Sequence, residues 1–455
     1  MKKALGFLIV VMLTTLLLLY VSCATRAGLA PRKFEGSKIR LVTREVSLGK
    51  VHPNIVSLFR GIEVSPDCKH VAYVAERGGK KFAVVDGEEG KEYDEVWGLH
   101  FSPNSQHVVY GASRGGKVFI VVDGVKGKEY DYVWLDNLRF SPDSKRVAYA
   151  AKRGGKWFFV VDGEEGKEYD SVWAPLFSSN SQRVAYGAVH DGKHLVVVDG
   201  EEGKEYDEIS APFALIFSPD SKRVAYVAKR GGKQLVVADD VEGKEYDEIV
   251  VGISVPTLIF SPNSQRVAYV AKRGGKQLVV VDDVEGKEYD DGGLLFYPVL
   301  LFSPDSQRVA YALGRGDYGD YKDFVVVDGV KGKEYDGVWN LLFSSDSQRV
   351  AYKATRFYII ADSSIDKDLV VVDDVEGKEY DYVRILRFSP DSKHLVYEAL
   401  RGGKVFIVVD DVEGKEYDSW PAGWVFDSQG LIHSLAHRDE EFFRVEMEIV
   451  ESSTR

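Results

Sequence analysis

Apolar and polar positions alternate along this chain in short runs, and the runs themselves recur from Val64 to about Phe426. One period is 217–249, FSPDSKRVAYVAKRGGKQLVVADDVEGKEYDEI. Its pattern predicts four strands. LxFS comes first, followed by SPDS or SPNS, which puts Pro and then Asp or Asn at the central positions of a tight turn. RVAYVA is the second strand. KRGGK then offers adjacent glycines that accept the positive φ angles of a two-residue hairpin, and QLVVV is short and β-branched enough for a strand buried on both faces. A second loop, DGxxGKE, leads into YDxV as the fourth strand. No segment carries an i, i+3, i+4, i+7 apolar stripe of helical length, so the expected class is all-β.

The serine that opens each copy stands at 65, 102, 141, 178, 218, 261, 303, 344 and 389, with spacings from 37 residues (65 to 102) to 45 (344 to 389). Four antiparallel strands in about forty residues is the size of one propeller blade. From Ile39 the pattern matches the back half of a repeat, IRLVT aligning with FAVVD. At the other end WVFDSQG, LIHSLAH and FFRVEMEIV look like the first three strands of a degenerate copy. Nine full repeats and a closing blade shared by the termini predict a single large propeller of about ten four-stranded blades, over 39–455. Two smaller propellers in tandem are the alternative.

FSPDSKRVAYVA resembles the propeller repeats of TolB-like proteins and of the dipeptidyl-peptidase IV propeller, and the resemblance covers Val64 to about Phe426. It implies the fold, and in the TolB-like case a protein-binding role in the cell envelope. The peptidase half does not carry over, because there is no room after Asp418 for a hydrolase domain.

Residues 1–24 read as a targeting segment. Lys2 and Lys3 precede an uncharged, mostly apolar run from Ala4 to Val21, and Tyr20-Val21-Ser22-Cys23 resembles a bacterial lipobox, with Tyr20 departing from the usual Leu. Lipidation at Cys23, cleavage after Ala24 and an uncleaved anchor all imply export to the periplasm or cell surface, and the first gives membrane anchoring. Residues 25–38 form a polar tether. The other cysteine, Cys68, occupies a turn position held by Ser in later copies, so no disulfide framework is expected.

A formal charge of −12 argues against bulk nucleic-acid binding. Arg and Lys at the hairpins between strands two and three predict a basic face shared with the crossovers between blades, and the DGEEGKE and DDVEGKE loops an acidic opposite face.

Residues present in every copy read as packing residues, so function is sought where copies differ. Trp97, Trp134, Trp173 and Trp339 stand at matching crossover positions, with Trp420 and Trp424 near the closure. They suit a grip on a peptide or sugar, or packing between blades. In the innermost strand the residue before the terminal Phe or Val is apolar in five consecutive copies but Glu63, His100, Arg139 and Arg387 elsewhere, which predicts a polar sector or charge pairs between blades. Finally, GRGDYGDYKD (314–323) and TRFYIIADSSIDKD (355–368) replace the short hairpin in two copies, and their aspartates offer oxygens to a calcium ion or simply face solvent as loops. No recognisable triad, HExxH, Cys/His cluster or phosphate loop appears, and no cofactor is expected. The reading is a non-enzymatic envelope scaffold that binds a protein or peptide partner on its crossover face. A carbohydrate or small-ligand receptor is the alternative, and a hydrolase a more distant one.

Overall fold

The computed structural model describes residues 62–67, 69–210, 214–252, 257–290, 300–315, 322–360, 363–418, 424–426, 430–438 and 441–449. The targeting segment with Cys23, the tether, the half-repeat 39–56, Cys68 and Trp420 lie outside the described residues. The described residues are all-β and form ten sheets, a multi-blade β-propeller. Blades 1 to 10 occupy 62–89, 95–126, 132–165, 171–202, 208–242, 248–290, 300–335, 337–380, 382–413 and 424–447. The last has three strands, Trp424–Phe426, Ile432–Arg438 and Glu441–Met447, as the degenerate C-terminal copy predicts. The chain divides into two compact units, 1–205 with blades 1–4 and 206–455 with blades 5–10.

Each blade is an antiparallel meander. In blade 1, Ile62–Val64, Val71–Arg77, Lys80–Val85 and Glu88–Glu89 pair in chain order. The hairpin glycines behave as the sequence requires: Gly78 and Gly79 have φ of 59° and 77°, a left-handed pair that a two-residue turn needs and a side chain at both positions would resist.

The fourth strand differs from the expectation. It opens inside the DGEEGKE loop, where Glu88 pairs with Val85, and ends at Tyr93, which bridges back to Lys81. YDxV is therefore divided: Tyr closes one blade, Asp turns the corner, and xV opens the innermost strand of the next, as at Glu95–Phe101. The cause is the Asp-Gly pair at 86–87, whose φ values of 52° and 88° make the loop itself a tight hairpin.

The core lies between blades. Ala72 and Ala83 of blade 1 meet Val96, Tyr110 and Phe119 of blade 2 in one apolar cluster, and the same layering repeats within each unit. Alternate residues of strands two and three point to the two faces of a sheet, so both faces are apolar and each blade needs a neighbour.

The SPDS turn joins blades as well as strands. The first serine is buried and its hydroxyl donates to the turn Asp (Ser65 to Asp67, 2.7 Å) while accepting from the amide of His70 at 2.9 Å. The last serine takes a left-handed φ, 66° at Ser105, which turns its hydroxyl towards the preceding blade, where it accepts the amide of Asp67 at 3.0 Å. Ser144 and Ser181 receive Asn104 and Asp143 in the same way, as do Ser264, Ser306, Ser347 and Ser392 in the second unit.

Candidate functional site: the hairpin end of the blades

The hairpin between strands two and three, the end of the fourth strand and the start of the next innermost strand lie together at one end of each blade, as the sequence predicts. The basic character predicted for that end is not found. In most blades the hairpin lysine is held by the corner aspartate fourteen residues on, as Lys80 by Asp94, Lys117 by Asp131 and Lys233 by Asp247. The same aspartate accepts an amide from the next hairpin, Gly115 to Asp94 at 2.7 Å, and lysine and amide together hold its carboxyl below the usual range. This explains why Asp follows Tyr in the KEYD segments. Several hairpin arginines fold back over the outer strand, Arg77 to Glu89 and Glu92, Arg273 to Glu285 and Glu288, so in those blades the predicted basic and acidic faces neutralise one another. Exposed pairs of this kind contribute little stability. Their effect is to leave the repeated surface electrostatically quiet.

Against that background the four tryptophans divide. All four lie within innermost strands, ahead of a bulge, rather than in the crossovers. Trp97 pairs with Gly111 and Trp173 with Gly187 on the second strand. A Cβ built on Gly187 would fall 2.3 Å from the Trp173 indole, and one on Gly111 would fall 2.9 Å from Trp97 and 2.7 Å from Leu135 of the next blade. Trp97 belongs to the packing between blades 2 and 3. These two indoles fill the space that glycine leaves, which favours packing over recognition for half of the predicted set.

Trp134 and Trp339 stand opposite Ala150 and Lys353 instead and remain 37% and 38% exposed. Around Trp134 lies an aromatic patch. Trp157 on strand three has its ring 6.1 Å from Trp134 and 5.7 Å from Tyr132, itself 50% exposed, and the Lys152 ammonium sits 5.4 Å from the Trp157 ring. Around Trp339, Lys353 lies 4.7 Å from the ring of Tyr382, with Phe357 and Tyr358 exposed on the adjoining hairpin. Tyr132, Trp157 and Tyr382 are additions to the predicted residues. Their signal was present in the sequence: Trp157 occupies a position held by Lys81, Val118, His194 and Gln234 in other copies.

The four polar positions near the end of the innermost strand are all exposed. In the first unit, Glu63 and His100 interact electrostatically; burial raises the Glu63 carboxyl above its usual range and His100 opposes that shift. Arg139 turns back on its own strand, donating to the carbonyls of Asp136 and Leu138 at 2.8 Å. In the second unit the Arg387 guanidinium lies 5.6 Å from the ring of Trp424, which is buried. No shared polar site emerges from these contacts.

The second insertion is strand rather than loop for most of its length, and the described ends of the first, 314–315 and 322–323, are strand as well. Val350–Ile360 and Ser363–Val372 form one long hairpin, and Val309–Arg315 pairs with Lys322–Val327. Asp368 is buried and fully engaged: it accepts from Thr355 Oγ1 at 2.7 Å, from the Val383 amide at 2.9 Å and from Lys353 Nζ at 2.9 Å. Asp323, also buried, accepts the Val338 amide at 3.1 Å. Both carboxylates fasten the next blade. Asp317, Asp320 and Asp362 lie outside the described residues, and among the described residues no three His, Cys, Asp or Glu side chains converge as metal ligands.

No family model and no curated protein sequence matches the chain. Among solved structures it is similar to a eukaryotic initiation factor (12% identity over 76% of this chain and 96% of that one, TM-score 0.34). It is also similar to the β-propeller domain of the Trilobed protease from Pyrococcus furiosus (13%, 62% and 99%, 0.29). A third is TolB from Acinetobacter baumannii (14%, 52% and 67%, 0.24). Propellers are what these neighbours share, and at such scores the similarity assigns no residue a role.

Proposed function

We propose that this protein is a non-enzymatic scaffold of the cell envelope, anchored through Cys23, that binds a protein or peptide partner at the hairpin end of its blades. The observation that carries this reading is the patch formed by exposed Tyr132 and Trp134 with half-buried Trp157 and Lys152 beside them, on a surface where many of the repeated charges are paired. Aromatic side chains with a cation beside them anchor partners by burying large rigid area, and such anchors typically contribute about 2 kcal/mol or more each. The test is quantitative capture from envelope extract, read by mass spectrometry. Tyr132→Ala with Trp134→Ala should deplete a specific partner, whereas Glu201→Lys with Glu202→Lys should leave it. Enrichment unchanged by the aromatic substitutions removes the reading. An exposed Tyr-Trp platform also suits a sugar ring, and a glycan array with the same variants decides between the two. Anchoring is tested by Cys23→Ala, which should release the protein from membranes or leave it unprocessed.

A further inference from the structure

The opposite end of the blades holds a device that the chain repeats and then omits. In blade 3, Arg146 extends along the cleft towards blade 4: Nε donates to Asp162 at 2.7 Å, the guanidinium carbon lies 5.4 Å from the Phe177 ring, and Nη1 donates to the carbonyls of Ser181 and Gln182 at 3.2 and 2.7 Å. Arg223, Arg266 and Arg308 repeat every element of this arrangement in the second unit. Each has its own Asp, the next blade's Phe at 5.2 to 5.3 Å, and two carbonyls on the next blade's turn. The fold therefore shows repeatedly what this cleft binds: a planar cation with several donors, stacked on an aromatic ring.

In blade 1 the arginine is replaced by His70. Its Nδ1 bonds Asp86 at 2.7 Å and its ring stacks 6.4 Å from Phe101, but an imidazole is too short to go further. Among the described residues no donor reaches the carbonyls of Ser105 or Gln106, the counterparts of Ser181 and Gln182. A cavity of about 420 Å³ lies there, with Phe101 and Tyr110 among its walls and Asp86, Glu88 and Asp123 on its rim. Burial pushes the Tyr110 hydroxyl up to about 12, so this wall stays neutral. Glu88 is exposed and forms no ion pair among the described residues, and histidine supplies none of the permanent charge that arginine brings. The cleft between blades 5 and 6, with Arg223 in place, has a smaller cavity of about 370 Å³.

We propose that the cleft between blades 1 and 2 receives an arginine side chain from a partner polypeptide. Its guanidinium bonds the Ser105 and Gln106 carbonyls beside Phe101, where four other clefts carry their own; blades 2 and 9 have His107 and His394 at this position. The acidic rim and the aromatic wall select a cation with a flat face, and the two open carbonyls select one with divergent N–H groups. The site is separate from the hairpin-end patch and is tested without any protein partner, so failure of either leaves the other standing.

The probe is N-acetyl-arginine methylamide, with its lysine and citrulline counterparts, in ligand-observed saturation-transfer NMR on the full chain, a method suited to weak binding. Wild-type protein should give a saturable signal with arginine, a weaker one with lysine and none with citrulline. The decisive variant is His70→Arg, which supplies the missing guanidinium internally as four other blades do. It should fold with an unchanged or higher Tm and lose the arginine signal at least five-fold, while His70→Ala keeps it. If His70→Arg does not fold, Glu88→Lys places a cation at the mouth without touching the core and should lower the signal by a similar factor. An arginine signal that survives these variants, a citrulline signal equal to that of arginine, or no signal from wild type overturns the proposal.

Discussion

Trp97 and Trp173 occupy the same place in their blades as Trp134 and Trp339, yet the first pair is structural and the second is available. The difference lies in the residue opposite. Gly111 and Gly187 leave room for an indole to lie flat on the second strand, whereas Ala150 and Lys353 hold it away. A tryptophan's role in this fold is thus set by a cross-strand partner, and the same side chain at the same repeat position serves two ends.

The largest expected effect tests the exposed member of blade 8. Lys353 is kept opposite Trp339 by Asp368, and both charged groups are nearly inaccessible. Asp368→Ala should cost about 3 kcal/mol, because it strands a buried ammonium and removes the acceptor for the Val383 amide of blade 9. Denaturant unfolding measures this. A cost below about 1 kcal/mol would mean that the lysine escapes to solvent, and the exposure of Trp339 would then have another cause.

Next is the packed pair. Gly187→Ala should destabilise by about 2 kcal/mol, since the added Cβ meets the Trp173 indole and the strand pairing leaves little room to move. The double variant with Trp173→Val restores the Val-type pairing of other blades and should recover most of the loss. A double-mutant cycle with no coupling energy would show that glycine is there for another reason. By the same logic Trp97→Ala should cost more than Trp134→Ala, whose indole is partly solvated; the latter should stay below about 1 kcal/mol.

The repeat, the strand order, the tight hairpins and the three-stranded C-terminal sheet were all legible, because each depends on residues close in sequence. Legibility failed where a side chain's meaning depends on a partner in another strand or blade. Arg77 and Glu89 read as opposite-face charges until the pairing brought them together. For Trp97, grip and packing both stayed open because nothing local says that Gly111 lies beneath it. The outer strand was placed late because Asp-Gly was read as loop punctuation rather than as a hairpin. His70 was visible as a departure from Arg146 and its equivalents, but its significance required the two carbonyls of the next blade.

The smallest effect separates the two classes by their turns, since blades 3 and 8 carry Asp143 and Asp346 where blades 2 and 4 carry Asn104 and Asn180, which do not titrate. Hydrogen bonds from the Ser65 hydroxyl and the Lys69 amide lower the Asp67 carboxyl from its ordinary 3.8 to about 2, and Asp143, Asp220, Asp305, Asp346 and Asp391 are lowered by the equivalent serines. A carboxyl depressed in the folded state contributes stability that is present above its unfolded pKa and is lost as pH falls through the folded value. These turns should therefore leave Tm level from pH 7 to about 4 and lower it between about 4 and 2, with Asp143→Asn flattening part of that fall. Neither substitution removes one of these carboxyls, so Trp97→Ala and Trp134→Ala should shift the whole curve without changing its acid limb. A decline that begins above about pH 5 would show that groups other than these aspartates dominate.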